Sequence, residues 1–193
     1  MKRADLPHET VALARALIGT LLVRVVEAET LVGRIVETEA YHPGDPASHA
    51  YRGPSPRNRS MFGPPLHAYV YFIYGANWCL NITSEPSGIG AAALVRACEP
   101  VRGIEAMRRL RGRDVDDAHL LRGPGNLCRA LAIDAVLDGA DLERDPRLWL
   151  APAEGAVEVG TSPRIGLSRA ATEPLRFYAR GSRSLSGRRA LSP

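Results

Sequence analysis

The sequence contains a single lysine, Lys2, and every other basic side chain is arginine. The nucleophilic amine that some enzymes use to attack sugars or carbonyls is thus confined to Lys2 and the α-amino group of Met1. Arginine cannot stand in for it, because the guanidinium stays protonated. Cysteine is also scarce. Cys79, Cys98 and Cys128 lie far apart, match no zinc-binding spacing and are odd in number, which argues against a disulfide framework. They read as buried thiols. No apolar run approaches the ~18 residues needed to cross a membrane. The first ten residues (MKRADLPHET) hold no apolar signal core. The expectation is a cytoplasmic protein without a membrane partner. Hydrophobic residues at 45% and charged residues at 24% exclude collagen-like, coiled-coil and wholly disordered chains. At 193 residues the expectation is one domain over residues 1–193, monomeric, with a loose end at 183–193.

The net charge of +4 is mild but unevenly spread. Between Pro163 and Pro193 there are seven arginines (Arg164, Arg169, Arg176, Arg180, Arg183, Arg188 and Arg189) against one acid, Glu173. Such a stretch is either a solvated tail or a surface for a polyanion.

Periodicity predicts a helix over Glu9–Ile18, stopped by Gly19. Leu21–Val26 and Leu31–Thr38 read as a β-hairpin. From His42 to Pro65 runs a loop rich in Pro, Gly, Ser and Arg, too long for a mere connector. A second hairpin follows, Ala68–Tyr74 and Trp78–Thr83 around a turn at Gly75-Ala76. Ala91–Ala97 is a buried strand. Pro100 is expected to open a helix with apolar positions Val101, Ile104, Met107 and Leu110. An acidic loop (Asp114, Asp116, Asp117) leads to a short helix near Leu127–Ile133. Short strands are expected near Trp149, Val157 and Ile165. Without regular βαβ alternation, the pattern points to an α+β fold with a mostly antiparallel sheet.

Four groups of residues could carry chemistry. In Val36–Tyr41, strand alternation puts Glu37, Glu39 and Tyr41 on one face beside the long loop. A carboxylate there can act as a general base, or the face is simply solvated. In the second hairpin Tyr69, Tyr71 and Ile73 share a face suited to stacking on a flat ring. Tyr74, beside the turn, could wedge between stacked bases. In the long loop Arg57 and Arg59 suit phosphate contact, while His42, Asp45 and His49 offer an alternative as metal ligands. Finally, Arg96 interrupts an apolar run (AAALVRACEP) and needs a partner if buried. Glu99 and Glu39 are the two choices.

These segments resemble the alkyladenine (3-methyladenine or methylpurine) DNA glycosylases. VETEAY, PRNRSMFGPP, YVYFIYG followed by WCLNI, LVRACEP, RGPGNL and PLRFYARGS occur in that family's order, spanning about Ala14 to Ser182. The resemblance implies a single α+β domain with a curved antiparallel sheet and a protruding hairpin, not the helix-hairpin-helix fold. It implies Glu39 as the general base that activates water, with Arg96 and a backbone carbonyl near Ile165 holding that water. Tyr41, His49 and Tyr71 would wall the pocket for a flipped base, and Asn81 would crowd it near the purine 2-position. Tyr74 would fill the gap left in the duplex. The implied partner is double-stranded DNA carrying damaged purines, with no cofactor and no metal. Two departures stand out. The Gly75-Ala76-Asn77 turn is smaller than in many relatives, and Leu66 stands where glycine is expected. A non-catalytic reader of distorted duplex and a metal-dependent hydrolase using His42, Asp45 and His49 are the competing functions. Having no amine near these residues, the chain is expected to be a monofunctional glycosylase that leaves an intact abasic site.

Overall fold

The first hairpin closes on a two-residue turn. Strands β1 (Leu21–Val26) and β2 (Glu29–Tyr41) pair antiparallel, with Val26 opposite Glu29. The intervening Glu27 and Ala28 take φ of 47° and 69°, the left-handed pair that lets a short turn follow the right-handed twist of its strands. The computed structural model describes residues 1–73, 75–112, 114–152 and 155–187.

β2 is the spine of the sheet. One edge pairs with β1 and, further along at Glu37–Glu39, with β8 (Arg176–Ala179). The other edge pairs with β5 (Ala92–Arg102). The hairpin of β3 (Ala68–Ile73) and β4 (Asn77–Thr83) extends the sheet beyond β5. β6 (Leu148–Ala151) lies beyond β1, and β7 (Val159–Ser162) beside β8. Every pairing among the described residues is antiparallel. Register shifts between β2 and β5 at Val32/Gly33, Ile35/Glu37 and Glu37/Thr38 mark bulges, which sharpen the local twist and curl the sheet.

Helix α1 (Thr10–Ala16) starts where the Glu9 carboxylate accepts the Val11 and Ala12 N–H groups at 2.9 and 2.7 Å. It packs with α3 (Asp117–Leu120) and α4 (Pro124–Ala130) over β2, β4 and β5, while α2 (Ile104–Arg111) packs on α4. Leu13, Leu31, Ile35, Leu80, Met107 and Leu127 are among the buried residues of this core. Thr38 donates from its hydroxyl to the Ala14 carbonyl at 2.7 Å, so its side of β2 faces α1. Glu37, Glu39 and Tyr41 face the opposite way.

The α+β fold and curled antiparallel sheet are as expected, and three local expectations are corrected. Pro100 does not open a helix. β5 runs on to Arg102, with Pro100 opposite Gly33 at a register shift, a place where a missing N–H is tolerated. The corner comes at Gly103, whose φ is +79°; a Cβ there would meet a Leu31 methyl at 2.5 Å. Ile165 lies outside the strands, and the strand expected near Val157 begins at Val159. Within the acidic loop, the Asp116 carboxylate accepts the His119 N–H at 3.0 Å and caps α3. Leu66 does adopt the backbone expected of glycine, with φ of 59°, yet is buried.

Candidate active site

A cavity of about 580 Å³ opens between the β3–β4 hairpin, the end of β2 and two loops. Alternation along β3 turns Tyr69, Tyr71 and Ile73 into it, and Phe72 outward to solvent. His49, from the long loop, meets Tyr71 edge-on with ring centroids 4.5 Å apart. Its Nδ1 lies 3.0 Å from the Tyr69 hydroxyl. Tyr69 and Tyr71 lie 5.3 Å apart at 32°. Burial, aided by the nearby Arg57 cation, holds the His49 imidazole below its ordinary pKa. Burial, foremost, pushes the Tyr41 and Tyr71 hydroxyls up, so both stay protonated. Asn81 lines the cavity and donates from its amide to the Tyr69 carbonyl at 3.1 Å. Gly123–Asn126, at the start of α4, and Ile165, Gly166 and Leu167 complete the lining; Gly125 lies close against Asn77 of the hairpin.

At one end of the cavity stands a pair of buried carboxylates. Glu37 and Glu39 are both 0% exposed, which overturns the solvated-face alternative. Glu39 accepts three bonds: the Ile165 N–H at 2.8 Å on Oε1, and on Oε2 the Tyr41 hydroxyl at 2.9 Å and Arg96 Nη1 at 3.2 Å. Tyr41, Arg96 and Ile165 all line the cavity, with the carboxylate directly behind them. Arg96 bridges both acids, its Nε lying 3.3 Å from Glu37 Oε1. Burial alone would lower the Arg96 pKa; the charges of Glu39 and Glu37 outweigh that and hold it above its ordinary value. Glu99 is not the partner of Arg96. It accepts from the Ser182 hydroxyl at 2.6 Å. The Ile165 N–H thus meets Glu39 itself, a contact separate from the carbonyl expected to hold the water.

Glu37 is tied further inward, by Arg176 Nε at 2.6 Å and by the Ser186 hydroxyl at 2.9 Å. Asp45 is gripped by both terminal nitrogens of Arg164. The arginine-rich end is therefore no continuous basic stripe: Arg164 and Arg176 are buried in ion pairs, and Arg180 pairs with Glu158 at 3.1 Å. Arg188, Arg189 and Tyr74 lie outside the described residues. The three side chains considered as metal ligands go separate ways. His42 Nδ1 sits 2.9 Å from the Pro43 carbonyl, Asp45 binds Arg164 and His49 meets Tyr69. Among the described residues no three metal-binding side chains gather. Arg57 and Arg59 are exposed; Arg57 donates to the Phe72 carbonyl at 2.9 Å, with its guanidinium 6.0 Å from the Tyr71 ring centre.

Sequence reasoning missed Asp45–Arg164 as a pair, Arg176 as the partner of Glu37, and the Gly123–Asn126 wall. The signal for Arg176 was present: like Arg96, it is a lone charge in an apolar strand (RFYA). The wall had a weaker signal in Pro124, a residue favoured at a helix's first position.

A ring-lined cavity beside a buried carboxylate is a site for a flat aromatic group and for acid–base chemistry next to it. The chain matches the methylpurine-DNA glycosylase (MPG) family over residues 4–183 and belongs to that family. It is 53% identical to a protein of Mesorhizobium japonicum that carries the name 3-methyladenine DNA glycosylase, covering 98% of this chain and 91% of that one. Similar proteins of the same name come from Nitrosospira multiformis (48% identity, 94% and 91% covered) and Methanoculleus marisnigri (47%, 94% and 95% covered). The activity is base-excision repair: a monofunctional DNA glycosylase that removes alkylated purines by hydrolysing the N-glycosyl bond.

Proposed function

We propose that the cavity receives an alkylated purine swung out of duplex DNA, and that Glu39 activates the water that displaces it. A base inside the stack is out of reach of any side chain, so the nucleotide must leave the helix. Alkylation at ring nitrogen makes purines such as 3-methyladenine cationic, and a cation is attracted to the faces of Tyr41 and Tyr71. The same charge makes the base a good leaving group. What the enzyme must add is a positioned water and negative charge beside the oxocarbenium-like sugar.

The observation that carries this reading is the bonding of Glu39. A carboxylate offers about four lone-pair sites. Ile165, Tyr41 and Arg96, all of which line the cavity, fill three, which by this count leaves one on Oε1 for a water that enters from the cavity. Glu37, by contrast, is held by Arg176 and Ser186, neither of which lines the cavity, as well as by Arg96. In this reading Arg96 steadies Glu39 and the water, while His49 and Asn81 shape the pocket around the base. Arg57 and Arg59 grip phosphates, and Tyr74 occupies the vacated space in the duplex. The protein acts as a monomer on damaged double-stranded DNA.

The test is base release from a duplex with one methylated purine. Glu39→Gln keeps the shape but cannot take a proton, so release should stop while DNA binding survives. Near wild-type release by Glu39→Gln would transfer the role to another group and overturn the assignment.

A further inference from the structure

Arg164 and Asp45 form a buried ion pair near the cavity, both side chains 0% exposed. Burying two charges is costly, and an apolar pair of similar volume is often as stable. Such a pair at this position needs a reason. Arg164 does more than neutralise Asp45. It donates from Nη1 to the Ala40 carbonyl at 2.9 Å, between Glu39 and Tyr41. Its guanidinium lies 4.7 Å from the centre of the Tyr41 ring. Tyr41 lines the cavity and Arg164 does not, so the cation backs the ring from behind. The next residue in the chain, Ile165, is the one whose N–H meets Glu39.

We propose that Arg164, locked by Asp45, is a positioning residue that fixes the base-stacking ring of Tyr41 and the Ile165 amide of Glu39 in one geometry. One planar fork reaches Asp45 with two nitrogens, the Ala40 carbonyl and a ring face together. A lysine at 164 would keep the charge but lose the fork and the stacking plane. The end of β2 and the loop carrying Ile165 could then shift relative to each other. A displacement on the order of 1 Å at a reacting centre costs about 100-fold in rate. The flipped purine would still enter, but its sugar and the water would no longer line up. This rests on the reading of Glu39 as the base and of Tyr41 as a stacking wall.

The experiment measures single-turnover base release and the Kd for lesion duplex in Arg164→Lys, Asp45→Asn and Glu39→Gln, with thermal melts. The expected result is release slowed about 10- to 100-fold in Arg164→Lys and Asp45→Asn, with Kd changed less than about threefold. The shape of their pH–rate profiles should stay that of the wild type, because the reacting groups are unchanged. Since Asp45→Asn leaves a buried charge uncompensated and Arg164→Lys loses the fork, the double variant Asp45→Asn/Arg164→Gln serves if they do not fold. It should show the same loss of rate with tight binding. Wild-type rates in any folded variant of the pair overturn the positioning role. So does a loss that falls on Kd alone. If Glu39→Gln remains active, the failure lies instead with the base assignment.

Discussion

Glu37 and Glu39 are two residues apart, equally buried and bound to one arginine, yet their surroundings separate their roles. All three partners of Glu39 line the cavity, whereas of the partners of Glu37 only Arg96 does. Glu37→Gln should therefore act on stability. It would leave Arg176 and part of Arg96 without their counter-charge, a loss of about 3–5 kcal/mol for a broken buried pair. The check is denaturant unfolding, and a Glu37→Gln protein of undiminished stability would refute it. The imidazole of His49 offers a second residue-scale outcome. Its pKa is lowered in the folded chain, so an NMR titration should give a midpoint below the ordinary value of about 6.5. Between that midpoint and about 6.5 the unfolded chain binds more protons. Stability from this group is then complete above about pH 6.5 and declines as pH falls toward the folded midpoint. A midpoint at or above 6.5 would show that the ring is not desolvated by its neighbours.

The elements bring residues together by alternation and by corners. β2 delivers Glu39 and Tyr41 to one face; β3 delivers Tyr69 and Tyr71; β5 delivers Arg96 between the two carboxylates. The corner at Gly103 ends β5 and starts α2. Gly103→Ala meets both a left-handed backbone and a Leu31 methyl, so it should cost more than ~1 kcal/mol. The urea midpoint measures it, and an unchanged midpoint would mean that the β5–α2 junction is softer than drawn. Leu66 carries the same left-handed geometry on a non-glycine residue. The conformation costs roughly 1–2 kcal/mol, and full burial of a leucine side chain returns about 1.5–3 kcal/mol, so the element tolerates it.

For the whole molecule, the net charge of +4 overstates how many arginines can meet DNA. Arg164 and Arg176 are enclosed in ion pairs, and neither can release counterions from a phosphate. Affinity for undamaged duplex should still weaken with salt through exposed residues such as Arg57 and Arg59. Arg59→Ala should reduce the slope of log K against log salt by about 1. An unchanged slope would remove Arg59 from the contact surface. The near-absence of lysine also acts at this scale. With Lys2 as the only lysine, borohydride treatment during turnover should trap no protein–DNA adduct, because no Schiff base forms. A trapped adduct in good yield would contradict hydrolysis by water.

The sequence by itself determined the α+β class, the existence of both hairpins, the second nearly to the residue and the first with β2 read short of its full Glu29–Tyr41 span, and the shared face of Glu37, Glu39 and Tyr41. These follow from strand alternation and turn chemistry, which act over a few neighbouring residues. It also carried the long ordered motifs that resemble the glycosylase family. It did not determine whom each charge meets. Arg96 had two acidic suitors within reach of sequence reasoning, Glu99 and Glu39, and it was Glu39, joined by Glu37, that it met. The Arg-rich end read as either a solvated tail or a basic surface until folding sent Arg176 to Glu37 and Arg164 to Asp45, 139 and 119 positions away. Pro100 read as a helix start because local preference cannot see the bulge opposite Gly33. Pairing of buried charges is decided by which segments the folded sheet brings within about 4 Å, where low dielectric makes an unpartnered ion intolerable. That constraint exists only once the chain has closed on itself, so only the tertiary structure could decide it.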